Sequence, residues 1–322
     1  MTKLGVLFSV LGVGAGCIPA FAQKQLPNII VMLSDDQGWG DLGFTGNTFV
    51  QTPNIDRIAH EGTILENFYV CPVSSPTRAE FLTGRYHVRS GVNSTTGGGE
   101  RFNLGEKTIA EYFREAGYAT SLFGKWHSGT QYPYHPNARG FEEFYGFCSG
   151  HWGNYWNPVL EHNGEIISGE GFIIDDLTDK ALDYIRDHKE HPFFMFLSYN
   201  TPHSPMQVPD SWWNRVKDRT LSQRATFPEQ EDTTFTKAAL ALAENLDWNI
   251  GRVLSLLHSL DLEQETIVIY FSDNGPNSFR WNGGMKGRKG STDEGGVRSP
   301  FCIRWPGHIR KGAVETQLSG AI

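Results

Sequence analysis

Four runs of strand character constrain this chain more than any other feature, because each ends in a polar cluster. Asn28 to Leu33 leads into Ser34-Asp35-Asp36-Gln37-Gly38, and Tyr118 to Phe123 leads into Gly124-Lys125-Trp126-His127. Phe193 to Tyr199 leads into Asn200-Thr201-Pro202-His203, and Thr266 to Phe271 into Ser272-Asp273-Asn274-Gly275. The runs are largely apolar without a period of two, as expected of parallel strands buried on both faces. Helical spacing falls between them. Glu106 to Ala116 sets Ile109, Phe113 and Ala116 on one face and stops at Gly117. Thr236 to Leu260 sets Leu242, Leu246, Ile250, Val253, Leu257 and Leu260 on a core-facing stripe. Strands alternating with helices predict an α/β fold, a doubly wound and mostly parallel sheet flanked by helices. Such sheets bind ligands beyond the carboxyl ends of their strands. All four polar clusters fall there, which points to a single shared site.

Two stretches read as loops. Ser94 to Arg101 is glycine-rich, and Gly146 to Gly171 is rich in Gly, Asn and Trp with weak periodicity, suited to a wall or lid over the site. At the N-terminus, Lys3, the apolar stretch Leu4 to Val13 and Ala20-Phe21-Ala22 read as an export signal cut after residue 22. That leaves residues 23–322 as one catalytic domain, periplasmic or secreted. The stretch is short and glycine-rich for a membrane anchor, so no stable span is expected in the mature chain. A lipoprotein signal ending at Cys17 ranks second, because Gly14 is a poor residue at that spacing. Cys71, Cys148 and Cys302 then remain, odd in number and far apart, so neither a disulfide framework nor a zinc spacing follows. The net charge of -8 argues against a nucleic-acid partner. An anionic substrate would need a local cluster of cations.

The clusters could supply that. Asp35, Asp36, Asp273 and Asn274 offer oxygen ligands suited to Ca²⁺ or Mg²⁺. Taken singly, each has an ordinary explanation as turn or cap chemistry; their meeting at one sheet edge shifts the reading. Lys125, His127 and His203 add cations or proton donors, and Lys289 sits in a glycine-flanked loop. Cys71-Pro72-Val73-Ser74-Ser75-Pro76-Thr77-Arg78 places Ser74 and Ser75 just before a helix in which Pro76 suits the first turn. The helix N-terminus favours negative charge, and Arg78 lies one turn on. A cation with several positive donors describes sulfate or phosphate ester chemistry.

Ser74-Ser75-Pro76-Thr77-Arg78, continued by Leu82-Thr83-Gly84-Arg85, resembles the type I sulfatase signature. Gly124-Lys125-Trp126-His127 resembles the second signature of that family. Asp35-Asp36, Thr201-Pro202-His203, Ser272-Asp273-Asn274-Gly275 and Lys289 through Arg298 match in the family's order. The resemblance implies an alkaline-phosphatase-like fold, a central mostly parallel sheet flanked by helices. It implies hydrolysis of aryl sulfates or sulfated carbohydrates by a formylglycine made from Ser74. Asp35, Asp36, Asp273, Asn274 and the modified Ser74 would hold Ca²⁺, with Mg²⁺ as the second choice. Arg78 and Lys125 would stabilise the aldehyde hydrate, and His127 would take a proton during sulfate release. His203 and Lys289 would bind sulfate, one of them assisting the leaving group. A serine at this position implies a serine-type maturase as partner, since unmodified serine is a weak nucleophile. Cys71 lies three residues too early for that role. Family members are usually longer, so the smaller C-terminal subdomain is expected to be missing. A phosphate or phosphonate ester hydrolase of the same superfamily, or an inactive remnant, is the alternative. Trp152, Tyr155, Trp156, Trp212 and Trp213 could stack on sugar rings or simply pack.

Overall fold

The computed structural model describes residues 26–322. The export signal expected over residues 1–22, with Cys17, lies outside the described residues. In chain order, β1 (Asn28–Ser34), α1 (Pro53–Glu61), β2 (Thr63–Leu65) and β3 (Phe68–Tyr69) precede α2 (Ser74–Thr83) and α3 (Ile109–Glu115). There follow β4 (Ala119–Lys125), β5 (Glu143–Phe147), the hairpin β6 (Val159–His162) and β7 (Glu165–Ser168), α4 (Ile173–Asp187) and β8 (Phe193–Ser198). The chain continues through α5 (Asp210–Val216), α6 (Thr233–Ser259), β9 (Thr266–Ser272), α7 (Glu294–Val297), β10 (Phe301–Arg304), β11 (Ala313–Glu315) and β12 (Ser319–Gly320).

Among the described residues, ten strands form one sheet in the order β11-β2-β10-β9-β1-β8-β4-β5-β6-β7, and β12 pairs with β3. The central strands β9, β1, β8, β4 and β5 are mutually parallel, while β10 and the β6–β7 hairpin run antiparallel toward the edges. The four expected strands are the central ones, for the reason given by their composition. In β1, Ile30 and Met32 enter one core layer, with α1, α4 and α6, while Val31 and Leu33 enter the other, with α2 and α3. In β8, Met195 and Leu197 face the first layer, and Phe194 and Phe196 the second.

Helix ends differ from the sequence reading by a few residues, each for a local reason. α3 starts at Ile109 rather than Glu106 because Thr108 and Glu111 form a reciprocal capping box. α6 starts at Thr233 because the Asp232 side chain accepts from the N–H groups of Thr234 and Phe235. The stretch from Gly146 to Gly171 is not all loop. Its second half forms the β6–β7 hairpin at the sheet edge, and its first half lines the cavity described below. Among the described residues the three cysteines are buried and unpaired, and no helix is long and apolar enough to cross a membrane.

Candidate active site

Strand register assembles the site. Ser34 lies opposite Ser272, Leu33 opposite Ser198, and Gly124 opposite Ser198, so β1, β9, β8 and β4 end at one level. Asp35, Asp273 and Lys125 therefore converge just past the sheet. Glycine is needed at position 124, where φ is +111° and a Cβ would lie 2.0 Å from the Ser198 carbonyl oxygen. α2 delivers Ser74 as its first residue, after an extended Val73. This corrects the expectation that Ser74 and Ser75 precede the helix. Pro76 still falls in the first turn, where its missing N–H costs nothing, so the helix can open two residues earlier. The geometry also separates the two serines. Ser75 Oγ donates to the Ser94 carbonyl at 2.9 Å, leaving Ser74 alone to face the cluster.

Ser74 Oγ accepts from Arg78 Nε at 2.7 Å and lies 3.2 Å from His127 Nδ1. His127 Nε2 is 2.9 Å from the Thr95 carbonyl, which can only accept. Nε2 therefore carries the ring proton, and Nδ1 is the acceptor that faces Ser74. Arg78 is fully buried; Nε and Nη2 donate to Asp273 Oδ2 at 3.1 and 2.9 Å, and Nη1 donates to Ser198 Oγ at 2.6 Å. Lys125 Nζ pairs with Asp35 Oδ2 at 2.7 Å, and Lys289 Nζ with Asp36 Oδ1 at 2.6 Å. His203 Nε2 lies 3.5 Å from Asp36 Oδ2, while its Nδ1 donates to the Ser204 carbonyl at 2.7 Å. Asp36 and His127 both adopt left-handed backbone, at φ 63° and 60°. That strained conformation is found where surrounding contacts over-determine a functional geometry. Arg280 is one such contact. It is paired to Asp41 at 2.6 Å and donates to the Asp36 carbonyl at 2.9 Å.

The residues present fit a hard divalent cation. Asp35 Oδ1, Asp36 Oδ2 and Asn274 Oδ1 are buried and have no hydrogen-bond partner among the described residues. Leaving such atoms unpaired is costly unless something else binds them. All three are oxygens, the donor type Ca²⁺ and Mg²⁺ take. The other two expected ligands are engaged within the protein, since Asp273 Oδ1 accepts from the Asp36 N–H at 3.2 Å and Ser74 Oγ accepts from Arg78. Three buried carboxylates roughly balance Arg78, Lys125 and Lys289, so an added anion needs further positive charge. Burial raises Asp273, and the neighbouring Asp35 carboxylate adds to that rise. Burial also works to raise Asp35, but Lys125, His203, Arg78 and Lys289 outweigh it and hold that carboxyl well below its usual range. Burial, helped by Lys125 and Arg78, pushes His127 down to about 2, so its ring is neutral at ordinary pH.

A cavity of about 520 Å³ opens above Ser74, lined among others by Thr95, Glu100, Lys125, His127, His151, His203 and Lys289. A larger cavity of about 680 Å³, walled by Phe123, Tyr145 and Tyr184, contains none of these groups, so chemistry rather than size picks the site. The residues expected to act on the ester or hold the cation, Asp35, Asp36, Ser74, Arg78, Lys125, His127, His203, Asp273, Asn274 and Lys289, all meet at this cluster. Trp212 and Trp213 instead pack against Val216 and Leu240, Trp152 on Phe147 and Trp156 on Phe172. Sequence reasoning missed Ser198, the Thr95 carbonyl, Arg280 with Asp41, and His151. Arg280 and Asp41 stand in segments that look like ordinary loop, and Ser198 is the inconspicuous last residue of its strand.

The sulfatase family profile matches residues 27–321 of the chain. Human N-acetylgalactosamine-6-sulfatase is 32% identical over an alignment covering 95% of this chain and 61% of its own length. The chain thus spans less than two thirds of that relative. The crystal structure of Ps i-CgsB in complex with k-i-k-neocarrahexaose is similar with a TM-score of 0.81 at 31% identity, covering 92% of this chain and 70% of that one. A phosphonate monoester hydrolase of Agrobacterium radiobacter has a TM-score of 0.67 at 19% identity, over 92% of this chain and 71% of its own, and shares the fold. That shared fold is the alkaline-phosphatase-like α/β arrangement expected from the motifs.

Proposed function

The chain belongs to the sulfatase family, and from that membership we propose that it hydrolyses sulfate esters, with Ser74 as the parent of the reactive group. One observation carries the reading. Ser74 Oγ sits at a helix N-terminus between Arg78 Nε and His127 Nδ1, above three unpartnered buried oxygens. Oxidation of Ser74 to formylglycine by a serine-type maturase would supply a hydrated aldehyde as the nucleophile toward sulfur. A cation held by Asp35, Asp36, Asp273, Asn274 and position 74 would supply charge compensation for the sulfate oxygens. We assign that cation to Ca²⁺, with Mg²⁺ as the alternative.

The chain's own residues do the rest. Arg78, locked by Asp273 and Ser198, holds the reacting oxygen of residue 74 and stabilises negative charge there. His127 is neutral in the resting site, and its Nδ1 lone pair faces that oxygen, so Nδ1 is placed to take the proton once negative sulfate charge in the cavity offsets the nearby cations Lys125 and Arg78. Lys125, paired to Asp35, adds positive charge to the cavity that Ser74 lines. His203 and Lys289 line the cavity and bind the sulfate group. Because His203 Nδ1 already donates to Ser204, a second ring proton would sit on Nε2, placed to assist the leaving group. The natural substrate in this reading is a sulfated carbohydrate, and small aryl sulfates serve as reporter esters for the same site. Two similar proteins support this, one named for a sulfated amino sugar and the other crystallised with a neocarrahexaose. The open cavity mouth, with Glu100 and His151, leaves room for a sugar. We also propose export, with residues 1–22 as the signal. Rates on matched aryl sulfate and aryl phosphate esters, with Arg78→Ala as the control, test the reading. Faster sulfate turnover that is lost in R78A supports it. A preference for phosphate would replace it with phosphate ester chemistry on the same fold.

A further inference from the structure

We propose that Cys71, Glu80 and His87 form a second cation site, built for a zinc-like ion and sharing no residue with the cluster beneath Ser74. Cys71 stands just before α2, Glu80 lies on α2, and His87 lies in the turn that follows it. Gly84, at φ 64°, ends the helix and its N–H donates to the Glu80 carbonyl. The chain then doubles back, and the His87 N–H donates to Glu80 Oε1 at 3.1 Å. The Cys71 N–H donates to Thr77 Oγ1 at 2.9 Å, which fixes the thiol's backbone.

The three candidate ligand atoms lie within 4.8 Å of one another. Cys71 Sγ is 3.4 Å from His87 Nδ1, and Nδ1 is 2.8 Å from Glu80 Oε1. Zinc bonds in a tetrahedron place neighbouring ligand atoms about 3.3–3.6 Å apart. The sulfur–nitrogen spacing is therefore already met, and the nitrogen–oxygen pair need open only by about 0.5 Å. A thiolate with an imidazole and one carboxylate selects zinc-like ions over Ca²⁺ and Mg²⁺, which prefer oxygen. Cys71 and Glu80 are buried while His87 is half-exposed, giving the ion an entry and water a fourth position. On binding, the Cys71 thiol proton leaves to solvent and the ring proton moves from Nδ1 to Nε2, with no redox change. The bound ion would brace the segment that presents Ser74, tying its start to α2.

A second Cys-Glu-His group, at Cys148, Glu161 and His135, lacks this design. His135 Nδ1 accepts from the Asn137 N–H at 3.3 Å, so Nε2 must carry the proton shared with Glu161 at 2.5 Å, and neither nitrogen is free to ligate. Cys148 Sγ is also 3.9 Å from its carboxylate.

The test uses the full chain held in Ca²⁺ and titrated with Co²⁺, then Zn²⁺. The expected result is a near-ultraviolet thiolate-to-cobalt charge-transfer band that saturates at one ion per chain and is displaced by zinc. The band should be lost in Cys71→Ser and in His87→Gln and retained in Cys148→Ser. If C71S fails to fold, H87Q at its half-exposed position decides the matter, with circular dichroism confirming that it is folded. A folded wild type with no band overturns the proposal, as does a band that survives in H87Q or disappears in C148S.

Discussion

Replacing Ser198 with alanine removes one oxygen from the floor of the site and tests whether Arg78 must be held rigid. Ser198 ends β8 with no solvent exposure. Its Oγ accepts from Arg78 Nη1 at 2.6 Å and donates to the Lys125 carbonyl at 2.7 Å. Without it, Nη1 keeps only that carbonyl, at 3.3 Å. Hydrogen bonds to charged groups contribute about 1.5–3 kcal/mol. Asp273 still grips Nε and Nη2, so the guanidinium stays in place but can tilt. We expect urea denaturation to show a stability loss of about 2 kcal/mol. On an aryl sulfate, kcat should fall roughly tenfold, about 1.4 kcal/mol of transition-state stabilisation. KM should barely move, because Ser198 does not line the cavity. A variant destabilised as expected but with kcat within about twofold of wild type would refute the claim that Arg78 orientation limits the reaction.

Further outcomes follow from the same geometry. A Cβ on residue 150 would lie 2.5 Å from His127 Nε2, so Gly150→Ala should push the ring off Thr95 and cut kcat by roughly tenfold or more. Gly153→Ala, where a Cβ meets open space, should leave turnover unchanged in the same assay. His127 is held near 2 in the folded chain against about 6.5 unfolded, so only the unfolded chain takes up its proton between those values. Its penalty is absent above pH 6.5 and grows on acidification by roughly 1 kcal/mol per pH unit. Denaturation midpoints at pH 7 and pH 5 should therefore converge in His127→Gln relative to wild type. Chelation should lower the melting temperature, Ca²⁺ should restore it, and Asn274→Ala should weaken calcium binding about tenfold in titration calorimetry.

The parts of the site that strands carry were legible in the sequence, because a buried parallel strand has no polar alternation and stops abruptly at its functional end. Asp35, Lys125, His203 and Asp273 announced themselves in that way. The β6–β7 hairpin did not. Val159 and Ile166 on it are 55% and 73% exposed, so at the sheet edge packing imposes little pattern. The start of α2 was also hidden, since Val73 supplies no side-chain cap and tertiary contacts with the site fix the boundary instead. The Thr95 carbonyl that sets the His127 tautomer is a backbone group, so no side-chain pattern could mark it. Arg280 and Asp41 were unreadable because their pairing joins residues distant in the chain.

Sulfate ester hydrolysis by this site depends on Ser74 being the parent of the reactive group. Mass spectrometry of the peptide containing Ser74, taken from active protein made alongside a serine-type maturase, tests that directly. The peptide should be lighter than its unmodified form by the mass of two hydrogens, in a fraction that rises with specific sulfatase activity. Full activity from protein whose Ser74 is entirely unmodified would contradict it.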